Sequence, residues 1–214
     1  MFRDGVAAQN LASDTTYLVC AFSNSGVVTA DFRTTLTHAP SSTAGNVGVE
    51  IPTGLDTRTV IGMIRTGSGP VFINDATRRQ CISWFNRKNM AAVGLDTALA
   101  TTTSASPVEL NTSSRASFVT WGNEDVAIGL EGSFRNNSAP SSVSANVGID
   151  GAGTVVFNSN NNYDVSAAAA GLFVPAGGAG AITLAEGYHF ATPLGWVSTG
   201  TGLFTLAATA MVRG

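Results

Sequence analysis

The sequence predicts an all-β protein: an antiparallel, jelly-roll-like β-sandwich built from two related halves. Polar and apolar residues alternate over Asp125–Glu131, which is typical of a half-buried antiparallel strand. Helix-forming patterns are almost absent, because the alanine run Ala167–Ala170 is short and Gly171 follows it at once. Two similar stretches, one in each half of the chain, indicate an internal duplication.

The duplication lies in a short motif that occurs twice. Ala39–Ser42 leads to Asn46–Glu50, and Ala139–Ser142 leads to Asn146–Asp150, with nearly the same residues in each pair. Two copies are too few for a solenoid, but they fit one domain made of two related β-rich halves. We therefore expect the Asn-Val-Gly segment of each copy to mark equivalent turn-and-strand corners.

Short apolar runs separated by Gly, Pro, Ser and Asn predict the other strands. Val60–Ile64 and Phe118–Trp121 are apolar on both faces, so we expect central or interface strands there. Together the runs predict about ten to twelve strands, which suits a sandwich or jelly roll. The remaining candidates in chain order are Thr16–Phe22, Val27–Phe32, Arg79–Phe85, Val143–Ile149, Thr154–Phe157, Tyr188–Ala191 and Phe204–Val212.

The chain divides into a short N-terminal segment and one domain. We expect residues 1–13 to be an arm or docking segment, and residues 14–214 to be a single jelly-roll-like sandwich with a long insertion near residues 150–185. Within the insertion, Asn158–Tyr163 and Ala176–Ala181 are rich in Asn or Gly and predict long loops or hairpin tips. Such loops bind a ligand, grip a neighbouring subunit or are inert hairpins, and these alternatives stay open.

Composition limits the partners of this chain. Charged residues make up 12% of the 214 residues, against roughly 25% in an ordinary soluble domain. The mean hydropathy of +0.20 predicts apolar surface that is buried between subunits. The net charge is −3 and there is no basic tract, which argues against nucleic acid as a partner. Arg78–Arg79 and Arg87–Lys88 form the best basic cluster, and we expect a solvated strand end there.

The place where the chain is made and works also follows from the sequence. Its first residues lack the apolar core of a signal peptide, and no run of about 18 apolar residues predicts a transmembrane helix or membrane insertion. Cys20 and Cys81 are too few for a disulfide framework or a metal site, so we expect buried free thiols. A virion protein made in a host cytoplasm satisfies these observations.

The sequence offers little catalytic chemistry, and we expect no enzyme, no metal and no cofactor. His38 and His189 are the two histidines; neither lies in a zinc pattern, and we expect His189 to be an ordinary strand residue. Glu50 and Asp150 occupy equivalent positions of the two motif copies, which indicates a structural role such as accepting backbone hydrogen bonds. A polysaccharide depolymerase, which needs two carboxylates across a cleft, stays as an alternative.

Aromatic and amide residues give the best binding candidates. Sugar rings pack their C–H faces on aromatic side chains, while Asn and Arg bond the hydroxyls. Trp84 with Asn86 and Arg87 is the most suggestive local set, although packing of Trp84 in the core is the competing interpretation. The candidate glycan or partner contacts are Trp84, Asn86, Arg87, Asn160, Tyr163, Tyr188 and His189.

Four segments of the chain carry a resemblance to a known family: Gly45–Glu50, Asp56–Thr66, Ser83–Arg87 and Glu186–Thr192. They resemble the β-rich terminal modules of tail-fibre, head-fibre and spike proteins of tailed bacteriophages and prophages. The resemblance implies a jelly-roll-like, oligomeric and often trimeric module that attaches to a host surface, with other virion proteins and host polysaccharide as partners. Because the chain begins almost directly with the module, without a shaft, we expect a short fibre tip, a capsid spike or a decoration protein. A purely architectural cement protein is the alternative.

Overall fold

The protein is all-β, as the sequence predicts. The computed structural model describes residues 1–95, 98–157, 161–166 and 171–213, and its regular structure there consists of strands and the short 3-10 turn Thr112–Ser114. Among these residues, no helix has the length and apolar character needed to cross a membrane.

The strands form two facing sheets and a third sheet from the N-terminal part of the chain. In chain order they are β1 (Phe2–Arg3), β2 (Val6–Ala7), β3 (Thr16–Asn24), β4 (Val27–Arg33), β5 (His38–Pro40), β6 (Glu50–Pro52), β7 (Thr59–Arg65), β8 (Arg78–Arg79), β9 (Cys81–Ser83), β10 (Asn89–Gly94), β11 (Ala100–Thr102), β12 (Val108–Glu109), β13 (Ala116–Thr120), β14 (Glu124–Asn136), β15 (Ser141–Ile149), β16 (Thr154–Val155), β17 (Asn161–Val165), β18 (Val174–Leu184), β19 (Gly187–Val197) and β20 (Gly202–Arg213).

Eight of these strands form a jelly roll. One sheet has the order β10-β20-β14-β18, and the facing sheet contains β13, β19, β15 and β17 in that order. The first and last of the eight are neighbours, as are the second and seventh, the third and sixth, and the fourth and fifth. This nested antiparallel pairing is that of the two Greek keys of a jelly roll.

The eight jelly-roll strands lie within residues 89–213, and the single domain over residues 14–214 stays a prediction. Of the earlier strands, β8 pairs with β13, and the others form a separate sheet of order β2-β1-β4-β3-β7-β9 and the β5–β6 hairpin. Residues 1–13 lie on this sheet: Leu11 is buried against Tyr17 and Phe32, and the Gly5 N–H donates to Asp31 Oδ1 at 3.1 Å. Docking of this segment to another protein stays a prediction.

Alternating burial holds the two facing sheets together, as the alternating sequence predicts. On β14, Val126, Ile128 and Leu130 are buried between the sheets, whereas Asp125 and Glu131 are exposed. β20 contributes every second residue to the same core, and each fully buried large apolar side chain contributes about 1.5–3 kcal/mol. The buried residues of β20 on this face are Phe204, Leu206, Ala208, Ala210 and Val212.

The two motif copies are not equivalent corners, which corrects that expectation for the Asn-Val-Gly segments. Asn46–Gly48 lies in an exposed loop. Hydrogen bonds from the Ser41 and Thr43 hydroxyls to the Asp56 carboxylate fix this loop. Asn146–Gly148 instead lies inside β15, between β17 or β16 on one side and β19 on the other. The same residues therefore adopt different structures in the two copies, because only the second copy has a paired strand on each side.

The described part of the predicted insertion near residues 150–185 contains β16, β17 and β18, and its glycine-rich part is not a loop. Ala176–Ala181 lies within β18, which pairs with β14 along its whole length. The glycines make room for a neighbour: a Cβ on Gly178 would lie 3.1 Å from the ring of Phe157. Asn161–Tyr163 begins β17, and Asn158–Asn160 lies outside the described residues.

A second core joins the N-terminal sheet to the jelly roll. Leu18, Val60 and Met63 from the N-terminal sheet pack against Val119 and Trp121, which belong to β13 and the residue after it. Both predicted central strands are confirmed, because β7 lies between β3 and β9, and β13 lies between β19 and β8. The junction between the two parts of the molecule is therefore a packed interior, and the polar cluster described next lies against it.

Candidate functional site

His38 joins three separate segments at this junction. It lies on β5, its Nδ1 contacts the carboxylate of Glu50 on β6, and its Nε2 lies 2.9 Å from Glu186 Oε2 in the turn between β18 and β19. Ionised carboxylates only accept hydrogen bonds, so a ring that bonds two of them donates from both nitrogens, as only the protonated imidazole can. The hydrogen bond to Glu186 raises the pKa of His38, burial opposes the rise, and the bond to Glu50 adds to it.

Aromatic rings enclose the His38 imidazole. Trp84 and Trp121 meet it edge-to-face, with ring centroids 5.1 and 5.7 Å from that of His38. The Arg87 guanidinium lies 4.4 Å from the centre of the Trp84 ring and bonds Glu124 Oε1 at 3.0 Å. These contacts engage Trp84 and Arg87 within the molecule, in agreement with the core-packing interpretation of Trp84. We call His38, Glu50, Glu186, Trp84, Trp121, Arg87 and Glu124 the junction cluster.

The junction cluster is polar but incompletely paired. Within the described part of the chain, the buried atoms Trp121 Nε1, Glu124 Oε2 and Glu186 Oε1 have no hydrogen-bond partner. Burial raises the pKa of Glu124, against the opposing charge of Arg87. Unpaired buried polar groups reduce stability, so this cluster depends strongly on the charge that His38 supplies.

His189 on β19 holds the same turn from the other side. Its Nδ1 lies 2.7 Å from Asp150 Oδ2, and its Nε2 donates to the carbonyl of Ala185 at 3.0 Å. Burial lowers the pKa of His189, but the hydrogen bonds to Asp150 and Ala185 and the charge of Asp150 outweigh it, so the net shift is upward. Asp150 Oδ1 also accepts the Phe190 N–H at 3.0 Å, which confirms the predicted backbone-binding role of Asp150.

Each histidine therefore contacts the Ala185–Glu186 turn through Nε2 and the acid at the end of one motif copy through Nδ1. The sequence carried a sign of this pairing, because Glu50 and Asp150 occupy equivalent positions and the chain has two histidines. It did not show that both rings reach one turn. Among the described residues there is no group of three or more His, Cys, Asp or Glu suited to a metal ion.

A cleft opens beside Tyr163, where the β17 and β18 edges of the two jelly-roll sheets part. Its volume is about 330 Å³, which lies within the usual range of small-molecule sites. Asn161 and Asn162 are fixed there, since Asn161 Oδ1 accepts the Gly177 N–H at 3.2 Å and Asn162 Oδ1 accepts the Ser144 hydroxyl at 2.8 Å. The lining residues are Phe134, Asn161, Asn162, Tyr163, Val174 and Pro175.

The predicted contact residues lie in separate places. Trp84 and Arg87 belong to the junction cluster, and Asn86 is exposed beside it. Tyr188 packs near the junction, where its hydroxyl donates to Ser117 Oγ at 3.2 Å and the Arg65 guanidinium covers its ring at 4.0 Å.

His189 holds the Ala185–Glu186 turn, and Asn160 lies outside the described residues. Tyr163 lines the cleft. The sequence reasoning missed Asn161 and Asn162, although both lie in the asparagine run that includes Asn160.

No protein-family model and no curated protein matches the chain. Among solved structures it is similar to the infectious bursal disease virus VP2 subviral particle, with 16% identity and a TM-score of 0.40 over 96% of this chain and 54% of that chain. A second structure, of the Gt strain of the same virus, has 15% identity and a TM-score of 0.39 over 96% of this chain and 55% of that chain. An isomalto-dextranase of Arthrobacter globiformis T6 in complex with panose has 10% identity and a TM-score of 0.29 over 75% of this chain and 26% of that chain. The chain spans about half the length of the viral chains, and similarity at this level identifies no family.

Proposed function

We propose that this chain is a bacteriophage virion structural protein, a subunit of an oligomeric fibre or spike that attaches to glycan on the host surface. The observation that carries the proposal is the nested strand order of residues 89–213, because jelly rolls serve in viral capsid and lectin domains. A fold alone does not fix a function. The proposal therefore also depends on the surface, on the cleft and on the resemblance of four sequence segments to phage fibre modules.

The surface supports oligomerisation, which we propose as a homotrimer docked to other virion proteins. Val28 is 80% exposed and Phe85 is 71% exposed, although large apolar side chains are usually buried. Leu172 and Phe173 are also exposed, immediately before β18 and beside the Tyr163 cleft. With only 12% charged residues, the chain has little charge to keep copies apart.

The Tyr163 cleft supports glycan as the ligand. Its lining combines the Tyr163 ring, two amide side chains and apolar walls, and none of the described lining residues is charged, which suits an uncharged sugar. A single shallow site of this kind binds weakly. Repetition of the site around a symmetry axis raises the overall affinity without any new contact.

We propose no catalytic role. The carboxylates of Glu50 and Glu186 contact opposite nitrogens of the same His38 ring, and their side chains are only 10% and 21% exposed. A glycosidase needs two carboxylates that flank a sugar in an accessible cleft, with one of them free to donate a proton. His38 occupies the place between these two.

Binding to an array of bacterial surface polysaccharides tests the proposal. We expect the purified protein to bind at least one neutral polysaccharide, and Tyr163→Ala to weaken binding about 5- to 30-fold per site, since lost stacking costs about 1–2 kcal/mol. Tyr163→Phe keeps the ring and should retain most of the binding. Tyr188→Phe, a change outside the cleft, is the matched control and should bind like the wild type.

Three outcomes would contradict the proposal. Equal binding by the wild type and Tyr163→Ala would remove the cleft as the glycan site. Particles that adsorb normally but break easily without this protein would favour the architectural alternative. Release of new reducing ends from a polysaccharide would favour a depolymerase.

A further inference from the structure

β18 is a long edge strand of the jelly roll. It ends the sheet order β10-β20-β14-β18, it runs over Val174–Leu184, and it has no charged residue. The edge strands β2, β8, β9 and β16 span only two or three residues each. The outer side of β10 is covered, because Arg79 Nε donates to Ala91 O at 2.7 Å and the Val93 N–H donates to Ala76 O at 2.9 Å.

The pairing with β14 shows which backbone groups of β18 point outward. Its register runs from Glu124↔Leu184 to Phe134↔Val174 without a shift, so successive residues alternate between β14 and the open edge. The Gly177 N–H leaves the sheet for Asn161 Oδ1, and Pro175 has no N–H to give to β14. Odd-numbered residues therefore direct their N–H and C=O groups away from β14.

Ala179, Ala181 and Thr183 consequently present their backbone groups at the open edge. These three residues are exposed, and within the described part of the chain their outward N–H and C=O groups have no hydrogen-bond partner. Natural sheets protect such edges with charges, bulges or short strands, and an unprotected edge is a template for another strand. Apart from Pro175 at one end, β18 has none of these protections.

We propose that β18 pairs antiparallel with β18 of a second copy of this chain, around a two-fold axis at Ala181. The edge is self-complementary, since Ala179 of each copy then lies opposite Thr183 of the other, and each outward residue donates one N–H and accepts one. The three residues with outward backbone groups, Ala179, Ala181 and Thr183, have side chains no larger than Thr, and Ile182 between them is half-buried. No like charges meet either, because Asp125, which accepts from the Thr183 hydroxyl, belongs to the neighbouring strand.

This contact goes beyond the proposed function and is separate from its glycan site. The axis lies six residues from Pro175, which is about 20 Å along a strand. It is a two-fold contact, so it adds to the proposed trimer rather than explaining it. Failure of glycan binding would leave it untouched.

Sedimentation equilibrium and light scattering on the full chain test the pairing. We expect a wild-type mass that is an even multiple of 21.8 kDa. Ala181→Pro removes one outward N–H but no bond to β14, and it should halve the mass. Ala181→Lys places two like charges at the axis and should do the same, which keeps the test valid if the proline variant fails to fold. Ala207→Lys, on the same outer sheet face but on β20, is the matched control and should leave the mass unchanged.

Amide exchange by NMR supplies a second measurement. In the wild type, the amides of Ala179, Ala181 and Thr183 should exchange at least tenfold more slowly than in Ala181→Lys. A monomer at all concentrations, an odd multiple of the chain mass, or a mass that neither Ala181 variant changes would overturn the proposal. Edge amides that are protected only when another virion protein is added would show that a different strand covers β18, and would overturn it too.

Discussion

Replacement of His38 by glutamine should destabilise the protein strongly. The side chains of His38, Glu50 and Glu186 are 12%, 10% and 21% exposed, so water screens their charges poorly. Removal of the imidazolium that contacts both carboxylates leaves Glu50 and Glu186 without this counter-charge, which costs about 3–5 kcal/mol. At about 2–4 °C per kcal/mol for a chain of this size, the melting temperature should fall by about 6–20 °C. Urea and thermal unfolding measure both quantities.

The effect should depend on pH in a defined direction. The pKa of His38 is raised in the folded protein above its ordinary value of 6.5, so folding favours the protonated ring. Its contribution is then complete below pH 6.5 and disappears as the pH rises through the raised folded-state pKa. The difference in unfolding free energy between wild type and His38→Gln should therefore be largest near pH 6 and shrink in alkaline solution.

A matched variant keeps this reasoning testable. His189→Gln removes the other histidine of the turn, but its partner Asp150 is 45% exposed, so the loss of stability should be clearly smaller than for His38→Gln. The reasoning is refuted if His38→Gln costs less than about 1 kcal/mol at pH 6. A difference between wild type and variant that grows as the pH rises would refute it as well.

Two further predictions concern packing and thiol chemistry. Gly178→Val should lower the free energy of unfolding in urea by about 1–3 kcal/mol, because a Cβ at Gly178 lies 3.1 Å from the Phe157 ring. Gly177→Val is the control and should be tolerated, because a Cβ there lies 3.7 Å from Leu130 O. Equal losses of stability in the two variants would contradict this packing. Burial, aided by the charge of Asp31, raises the pKa of Cys20 to about 12. Mass spectrometry should therefore show that iodoacetamide modifies the half-buried Cys81 well before the buried Cys20 at pH 8. The reverse order would be inconsistent with the structure.

Local patterns predicted individual strands well, because burial on one sheet face imposes alternation directly on the sequence. The alternating residues of Asp125–Glu131 lie on β14 as expected, and those of Phe204–Val212 lie on β20. The glycines of Ala176–Ala181 lie in a strand and not in the expected loop, because Gly178 and Gly180 make room for the ring of Phe157, which is distant in sequence. Which strands become neighbours in the jelly roll depends on long-range pairing that no local pattern encodes.

The site was less accessible to sequence reasoning than the fold. The candidate Tyr163 lies in a cleft, but Trp84 and Arg87 belong to the junction cluster. The sequence could not separate these cases, because apolar neighbours in sequence do not show whether a tryptophan side chain points into the core or to the surface. The equivalent positions of Glu50 and Asp150 indicated a shared structural role. Their histidine partners could not be assigned, because the Ala185–Glu186 turn is brought to both rings only by the folded chain.

Competition for host cells tests the central claim most directly. Susceptible bacteria are incubated with the purified protein before particles that carry this chain are added, and the adsorbed particles are counted. We predict that the wild-type protein blocks adsorption in a dose-dependent manner and that Tyr163→Ala, folded and assembled equally well, does not. Undiminished adsorption in the presence of excess wild-type protein, or equal blocking by both proteins, would contradict attachment through the Tyr163 cleft.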